Sequence, residues 1–289
     1  QGMMSHTAST TISRYFTNTR GKALSTGWFG LSTAEFLMPV TIIYALTIMD
    51  WRSIWIIISV AIILFLPMVS YFLVKEVKLS SREDGNEVIK ENIKQWKRSE
   101  VIKDYRFIII ALNMLAMPWI ATGIFVYQSF ILSAKNWGEY TIAQSFMVYS
   151  IASVLTLFVA GYLIDKFTSR KLLIYMNIPF LISLLILIYF QSPVSSFFFL
   201  GLIGVSNGFA NVLGSSTWAE LYGVKFIGSI KALTTALMVF STAFGTAFFG
   251  LMIDFDFSIE QISMISGGYI LISLILLFLI KNKLNPTIL

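Results

Sequence analysis

Glu35 is the one charged residue in the apolar run Ala23–Met49. Where no water can solvate it, an ionisable side chain is costly and is expected to have a role or a partner. Glu35 lies about 12 residues into the run, about 18 Å along a helix and near its middle. Pro39 follows four residues later and has no N–H to give the Glu35 carbonyl, so a kink is expected there. Such a setting favours the neutral carboxyl, which can bind and release a proton; a protonated Glu hydrogen-bonded between helices is the plainer use. His6, about two turns before Arg14, is a second candidate for proton relay, with an interhelical hydrogen bond as its alternative. Neutral polar side chains in other apolar runs are candidates for lining a solute path: Asn113, Gln128, Gln144, Asn177, Asn207 and Asn211. Each could equally serve as glue between helices. Trp119, beside Pro118, marks a point where a helix should break and form part of a cavity or gate.

Other chemistry is poorly supplied. The sequence has no cysteine and one histidine, which excludes disulfides, thiol catalysis and a cysteine-based metal site, and argues against any metal centre. No glycine run has the spacing of a phosphate-binding loop, and no Ser/His/Asp set can be drawn. We therefore expect no enzyme activity, no cofactor and no metal. The net charge of +6 does not point to nucleic acid, because the basic residues sit in short loops between apolar runs.

These candidates need long helices to position them. Of the 289 residues 56% are hydrophobic and 12% charged, and the mean hydropathy is +0.77. A soluble fold lacks the interior volume for so much apolar surface, so a lipid bilayer must solvate the remainder. Runs long enough to cross about 30 Å of hydrocarbon are expected at Ala23–Met49, Ser53–Val74, Phe107–Leu132, Thr141–Ile164, Leu172–Phe190, Val194–Trp218, Ser229–Ile253 and Ile259–Ile280. Gln1–Phe16 reads as the second half of another. Helices satisfy their own backbone amides in lipid, and the runs are too long and too uniformly apolar for barrel strands.

Charge orients the chain. All but Arg52 and Lys135 of the 21 Lys and Arg residues fall in alternate loops, around Arg14–Lys22, Lys75–Arg106, Asp165–Lys171, Glu220–Lys231 and Lys281–Lys283. That bias places those loops in the cytoplasm, and the loops at Trp51, Trp137 and Asp254–Glu260 outside. Lys75–Arg106 is the long polar connector; Ile89, Ile93 and Trp96 share a helical face, which suggests a short amphipathic helix on the membrane surface, the alternative being a solvated linker with no further role. Gly30-x-x-x-Ala34 and Gly204-x-x-x-Gly208 should let helix backbones approach closely.

Lys22-Ala-Leu-Ser-Thr26 recurs as Lys231-Ala-Leu-Thr-Thr235, and Ser32-Thr-Ala34 recurs at the same offset as Ser241-Thr-Ala243. Each copy enters a helix from a basic loop, the pattern of parallel repeats in transporters built from two six-helix halves. Arg14–Leu24 resembles the loop between helices four and five of the major facilitator superfamily. Gly161-Tyr-Leu-Ile-Asp165-Lys166-Phe-Thr-Ser-Arg170-Lys171 resembles that superfamily's signature between helices eight and nine, without the glycine usually found near Thr168. Glu220-Leu-Tyr-Gly223 with Gly228-Ser-Ile-Lys231 resembles the loop between helices ten and eleven, and Asp50-Trp-Arg52 the turn before helix six.

The resemblance spans the chain and implies an all-α polytopic membrane protein, a major-facilitator-type helical bundle. It implies an incomplete N-terminal half over 1–74 (helices four to six), a cytoplasmic connector over 75–106, and a complete six-helix C-terminal half over 107–289. It also implies that helices one to three belong to a longer protein of about 400 residues. Function is then expected to be secondary transport of a small-molecule substrate by alternating access, coupled to protons or another ion. The site would be a cell membrane, the inner one in a bacterium, with the C-terminus cytoplasmic. Gly161, Asp165, Lys166, Arg170 and Lys171 would form a cytoplasmic gate, the alternative being that Arg170 and Lys171 serve only as topology signals. The alternatives are a fragment unable to transport and a membrane-embedded ligand sensor.

Overall fold

The computed structural model describes residues 2–16, 19–75 and 93–287, and every regular element among them is a helix. In chain order they are α1 (Gly2–Tyr15), α2 (Arg20–Leu46), α3 (Trp51–Lys75), α4 (Arg98–Val101), α5 (Tyr105–Ala116), a π-helical turn (Met117–Ala121), α6 (Thr122–Val126) and α7 (Gln128–Lys135). There follow α8 (Glu139–Phe167), α9 (Ser169–Leu172), α10 (Ile178–Tyr189), α11 (Ser195–Tyr222), α12 (Ile227–Asp254) and α13 (Ile259–Ile280). Seven stretches among the described residues are long and apolar enough to cross a membrane, and they coincide with seven of the eight expected spans; Ala23–Met49 falls on α2, which is not among the seven, and Leu172–Phe190 is divided by a 3-10 turn at Leu173–Tyr175.

The chain forms two compact units, one of Gln1–Ser32 with Asn92–Leu289 and one of Thr33–Glu91. In the smaller unit α3 carries Trp55, Ile56, Ile63, Leu64 and Phe65, all at least 60% exposed. An apolar surface of that extent is sustained by lipid or by other helices, not by water.

In the larger unit α8 and α11 pack backbone to backbone. A methyl group at Gly204 would overlap the Tyr149 carbonyl, and one at Gly208 would lie 2.6 Å from the Ser153 carbonyl. Small residues one turn apart therefore let the two helices touch, as the spacing predicts. Gly30 differs: no heavy atom lies within 4 Å of its Cβ position, so the close approach expected there is not made by the described residues.

The run beginning at Phe107 is helical but divided. Pro118 offers no N–H, so the backbone widens into the π turn Met117–Ala121. The carbonyls around the break gain donors from neighbouring helices: Tyr269 Oη donates to Leu112 O at 2.7 Å and Ser241 Oγ to Leu115 O at 3.2 Å.

One expectation needs correction. Residues 76–92, including Ile89, lie outside the described set, and Ile93–Lys97 are not helical. They run extended, with Lys94 N–H donating to Thr287 O at 2.8 Å and Trp96 N–H to Tyr222 O at 3.1 Å. A three-residue spacing over so short a segment fits a helix, but here these cross-chain bonds and the Trp96 ring packing edge-on to Tyr222, at 5.5 Å between centroids, decide the conformation.

Candidate functional site

The basic loops of the larger unit meet at one end, and the most specific contact there joins two helix ends. Asp165, near the end of α8, accepts from the N–H groups of Gly21 at 2.7 Å and Lys22 at 3.1 Å. These are orphan amides of the first turn of α2, where the helix dipole also favours a negative charge. The backbones must come close for a side chain as short as aspartate to reach. A methyl group at Gly161 would lie 2.8 Å from Gly21 O and nearer still to Ser25 Oγ, and one at Gly21 would overlap Gly161 O. Ser25, 2% exposed, is sealed inside this contact.

A second layer fixes the loop that follows Asp165. Glu220, near the end of α11, accepts from Ser169 N–H at 2.9 and 3.1 Å and from Arg170 N–H at 3.4 Å. Arg170 Nη1 donates to Leu284 O at 3.3 Å and Asn285 Oδ1 at 3.0 Å. Between Asp165 and Ser169 the chain turns at Thr168 with φ +77° and ψ +147°, a region in which a β-branched residue is strained. The Thr168 hydroxyl is buried with no hydrogen-bond partner among the described residues. Lys166 and Lys171 are exposed, and Lys166 Nζ lies 5.3 Å from the Phe167 ring centre. Of the expected gate residues, Gly161 and Asp165 thus hold the α2 contact, Arg170 faces the segment after α13, and the two lysines face outward.

The repeat partner of Lys22, which is itself exposed, is placed differently. Lys231, on the second turn of α12, is 4% exposed and donates to Ser13 Oγ of α1 at 3.2 Å. Next to these contacts, Asp104 receives Arg106 at 2.8 Å and the Tyr222 hydroxyl at 3.2 Å. The Lys94 ammonium, hydrogen-bonded to Glu100 at 2.8 Å, holds that carboxyl below its ordinary range, with help from the Lys97 N–H.

The polar candidates inside the helices fall into separate groups. Asn113 and Asn177 come together: Asn177 Nδ2 donates to Asn113 O at 2.6 Å, and Asn113 Nδ2 to Ser273 Oγ at 3.2 Å. Both are fully buried, so they tie α5, the start of α10 and α13. Asn207 Nδ2 donates to Ser153 Oγ at 3.1 Å across the α8–α11 contact. Trp119, in the π turn, packs against Tyr269 at 4.4 Å and against Phe244 and Phe248, each at 5.6 Å between ring centres. Gly245 permits the approach of α12, since a methyl group there would overlap Trp119 O. Gln128 and Asn211 are half-buried and Gln144 is exposed. The side chains of Glu35 and His6 lie outside the described residues, although their backbones belong to α2 and α1.

The opposite end of the larger unit is fastened differently. Lys135 is buried at the end of α7 and pairs with Glu260 at the start of α13 at 2.7 Å. Nearby, Trp137 Nε1 donates to Gln191 O at 2.9 Å.

The family profile described as Major Facilitator Superfamily matches residues 1–246 and, in a second register, 108–288. The chain belongs to the major facilitator superfamily. Two overlapping registers are what a fold of two similar halves produces, in keeping with the repeat at Lys22 and Lys231. A search of curated proteins finds no match. As a member of this superfamily the protein is a multi-pass membrane transporter, with a small molecule as its substrate.

Sequence reasoning missed three partners. Glu220 stood out only as part of a loop resemblance. Lys135 was noted only as one of two basic residues on the sparse side, which was itself the available signal that it is paired. Ser13 gave no signal, because a serine in a helix is common.

Proposed function

We propose that this major facilitator protein is a secondary active transporter that moves its solute by alternating access, with proton coupling through Glu35. The observation that carries the alternating-access reading is the Asp165 clasp. A carboxylate on two backbone amides, over a glycine–glycine contact, makes a tight closure that leaves no buried charge behind when it parts, because amides and carboxylate are both readily hydrated. The basic end faces the cytoplasm by the charge bias of the loops, so the clasp closes the cytoplasmic side, and the C-terminus lies on that side of a cell membrane. Proton coupling is supported by the placement of Glu35 in an apolar run ahead of Pro39. Trp119, at the break in the helix after Tyr105, is placed to shape a path or gate for the solute.

The test uses full-length protein in proteoliposomes loaded with a pH-sensitive dye, challenged with panels of monocarboxylates, sugars and organic cations. One class should enter together with, or in exchange for, protons. Glu35→Gln should keep solute exchange while removing its dependence on pH. Transport whose pH dependence survives in Glu35→Gln would leave Glu35 a structural residue, and binding without accumulation of any solute would mean a sensor.

A further inference from the structure

After α13 the chain does not leave the protein. It makes one short turn at Lys281–Lys283 and runs across the basic end, with Leu284 buried at 2% exposure. Pro286 fixes its own φ and pushes Asn285 away from helix, so the segment is laid out extended before it makes any contact. Three separate elements then hold it. Arg170 donates to Leu284 O and Asn285 Oδ1, Arg106 Nη1 donates to Asn285 O at 2.9 Å, and Lys94 N–H donates to Thr287 O at 2.8 Å. The segment thereby ties the end of the connector, the start of α5 and the loop after Asp165.

That loop is the one containing the strained residue. A β-branched side chain at φ +77° and ψ +147° persists only when its surroundings over-determine the backbone. Here Asp165 holds the α2 amides on one side of Thr168, while Glu220 and the Arg170 contacts hold the other. The Arg170 bonds to the segment after α13 complete the fastening on that side, the one to Leu284 O part-buried and the one to Asn285 Oδ1 exposed.

We propose that Leu284–Thr287 is a strap that keeps the Thr168 turn in its strained form, and that its release loosens the grip of Asp165 on α2. The strap acts as a brake on opening of the basic end. Strain at Thr168 supplies the direction, because a freed turn relaxes and draws Asp165 away from the Gly21 and Lys22 amides. The proposal rests on the reading of that clasp as the cytoplasmic closure.

The test exploits the absence of cysteine from the sequence. Ser25→Cys in the full-length protein, with any other cysteine replaced by serine and reconstituted in nanodiscs, places one thiol inside the clasp, and its labelling by a charged maleimide reports opening. A chain ending at Leu284 keeps the buried leucine and its contact with Arg170 but removes Asn285–Thr287, and with them the bonds to Arg106, to Lys94 and from Arg170 to the Asn285 side chain. It should label at least about fivefold faster, the loss of a few hydrogen bonds to charged donors allowing that much. In a Thr168→Gly background the same truncation should change the rate by less than about twofold, since glycine carries no strain to release. Asp165→Asn is the reference for an open clasp. If Asp165→Asn speeds labelling and the truncation does not, the strap is overturned and the closure reading stands. If neither changes the rate, the closure reading falls and the strap with it. An equal gain from truncation with Thr168 and with glycine overturns the link to strain. Should the truncated chain fail to fold, the full-length double variant N285G/P286G, which frees the strap without shortening it, decides by the same criteria.

Discussion

Two contacts of the larger unit, the Asp165 clasp at the basic end and the Lys135–Glu260 pair at the other, are fastened by opposite means, although the basic end also carries the Asp104–Arg106 pair and the buried Lys231 on Ser13 Oγ. At the basic end carboxylates hold backbone amides: Asp165 takes Gly21 and Lys22, and Glu220 takes Ser169 and Arg170. At the other end a single ion pair joins Lys135, whose side chain is 0% exposed, to Glu260, which is 33% exposed. The difference is one of reversibility. Amides and a carboxylate at a half-exposed rim exchange protein partners for water at modest net cost. A buried ammonium cannot do so without remaining uncompensated in a low-dielectric setting. The first kind of fastening suits a contact that opens in each cycle, and it lies between α2 and α8, on either side of the connector. The second suits a permanent join, and it lies between α7 and α13 within the C-terminal residues.

The largest expected effect tests the permanent join. Glu260→Gln leaves the Lys135 charge buried without a counter-charge and should cost about 3–5 kcal/mol, seen as a clear loss of thermal stability in detergent. Lys135→Met should cost much less, because Glu260 retains access to solvent. Equal losses would break the contrast between the two ends.

Glycine substitutions sharpen it. Gly204→Ala pushes α8 from α11 and should lower thermal stability by about 1–3 kcal/mol. Gly161→Ala introduces an overlap of the same kind with Ser25 Oγ and Gly21 O, but the strain is relieved by opening. It should leave the melting temperature near that of the parent and raise the accessibility of Ser25→Cys. A fall in stability as large as that of Gly204→Ala would make the α2–α8 contact a structural one.

The smallest effect has the opposite sign. Thr168→Gly removes the strain at positive φ and should stabilise the closed form by about 1 kcal/mol, slowing labelling of Ser25→Cys several-fold. Unchanged labelling would mean the turn is unstrained in solution.

Much of the helical architecture is legible in the residues because lipid imposes a simple rule: apolar length determines helices. The run 107–132 shows both the reach and the edge of that rule. Its length predicts a crossing and Pro118 predicts a break, but the aromatic packing of Trp119 against Phe244, Phe248 and Tyr269 joins segments more than a hundred residues apart and leaves no trace in local spacing. The partners of Asp165 are the α2 amides, which every residue but proline possesses and no side-chain pattern advertises. Thr168 departs from the usual glycine, yet only its backbone angles reveal that the departure is strained. The connector misled for a related reason: Ile93 and Trp96 carry the spacing of a helical face, while their hydrogen bonds go to Tyr222 and Thr287.

In this reading the Asp165 clasp closes the basic end and opens during the cycle. Spin labels at Lys22→Cys and Lys171→Cys, both exposed positions on either side of the clasp, would report it directly by pulsed dipolar spectroscopy on the full-length protein. A short-distance and a long-distance population are expected, with Asp165→Asn shifting their ratio toward the long one by about tenfold. A single distance distribution that Asp165→Asn leaves unchanged would contradict it.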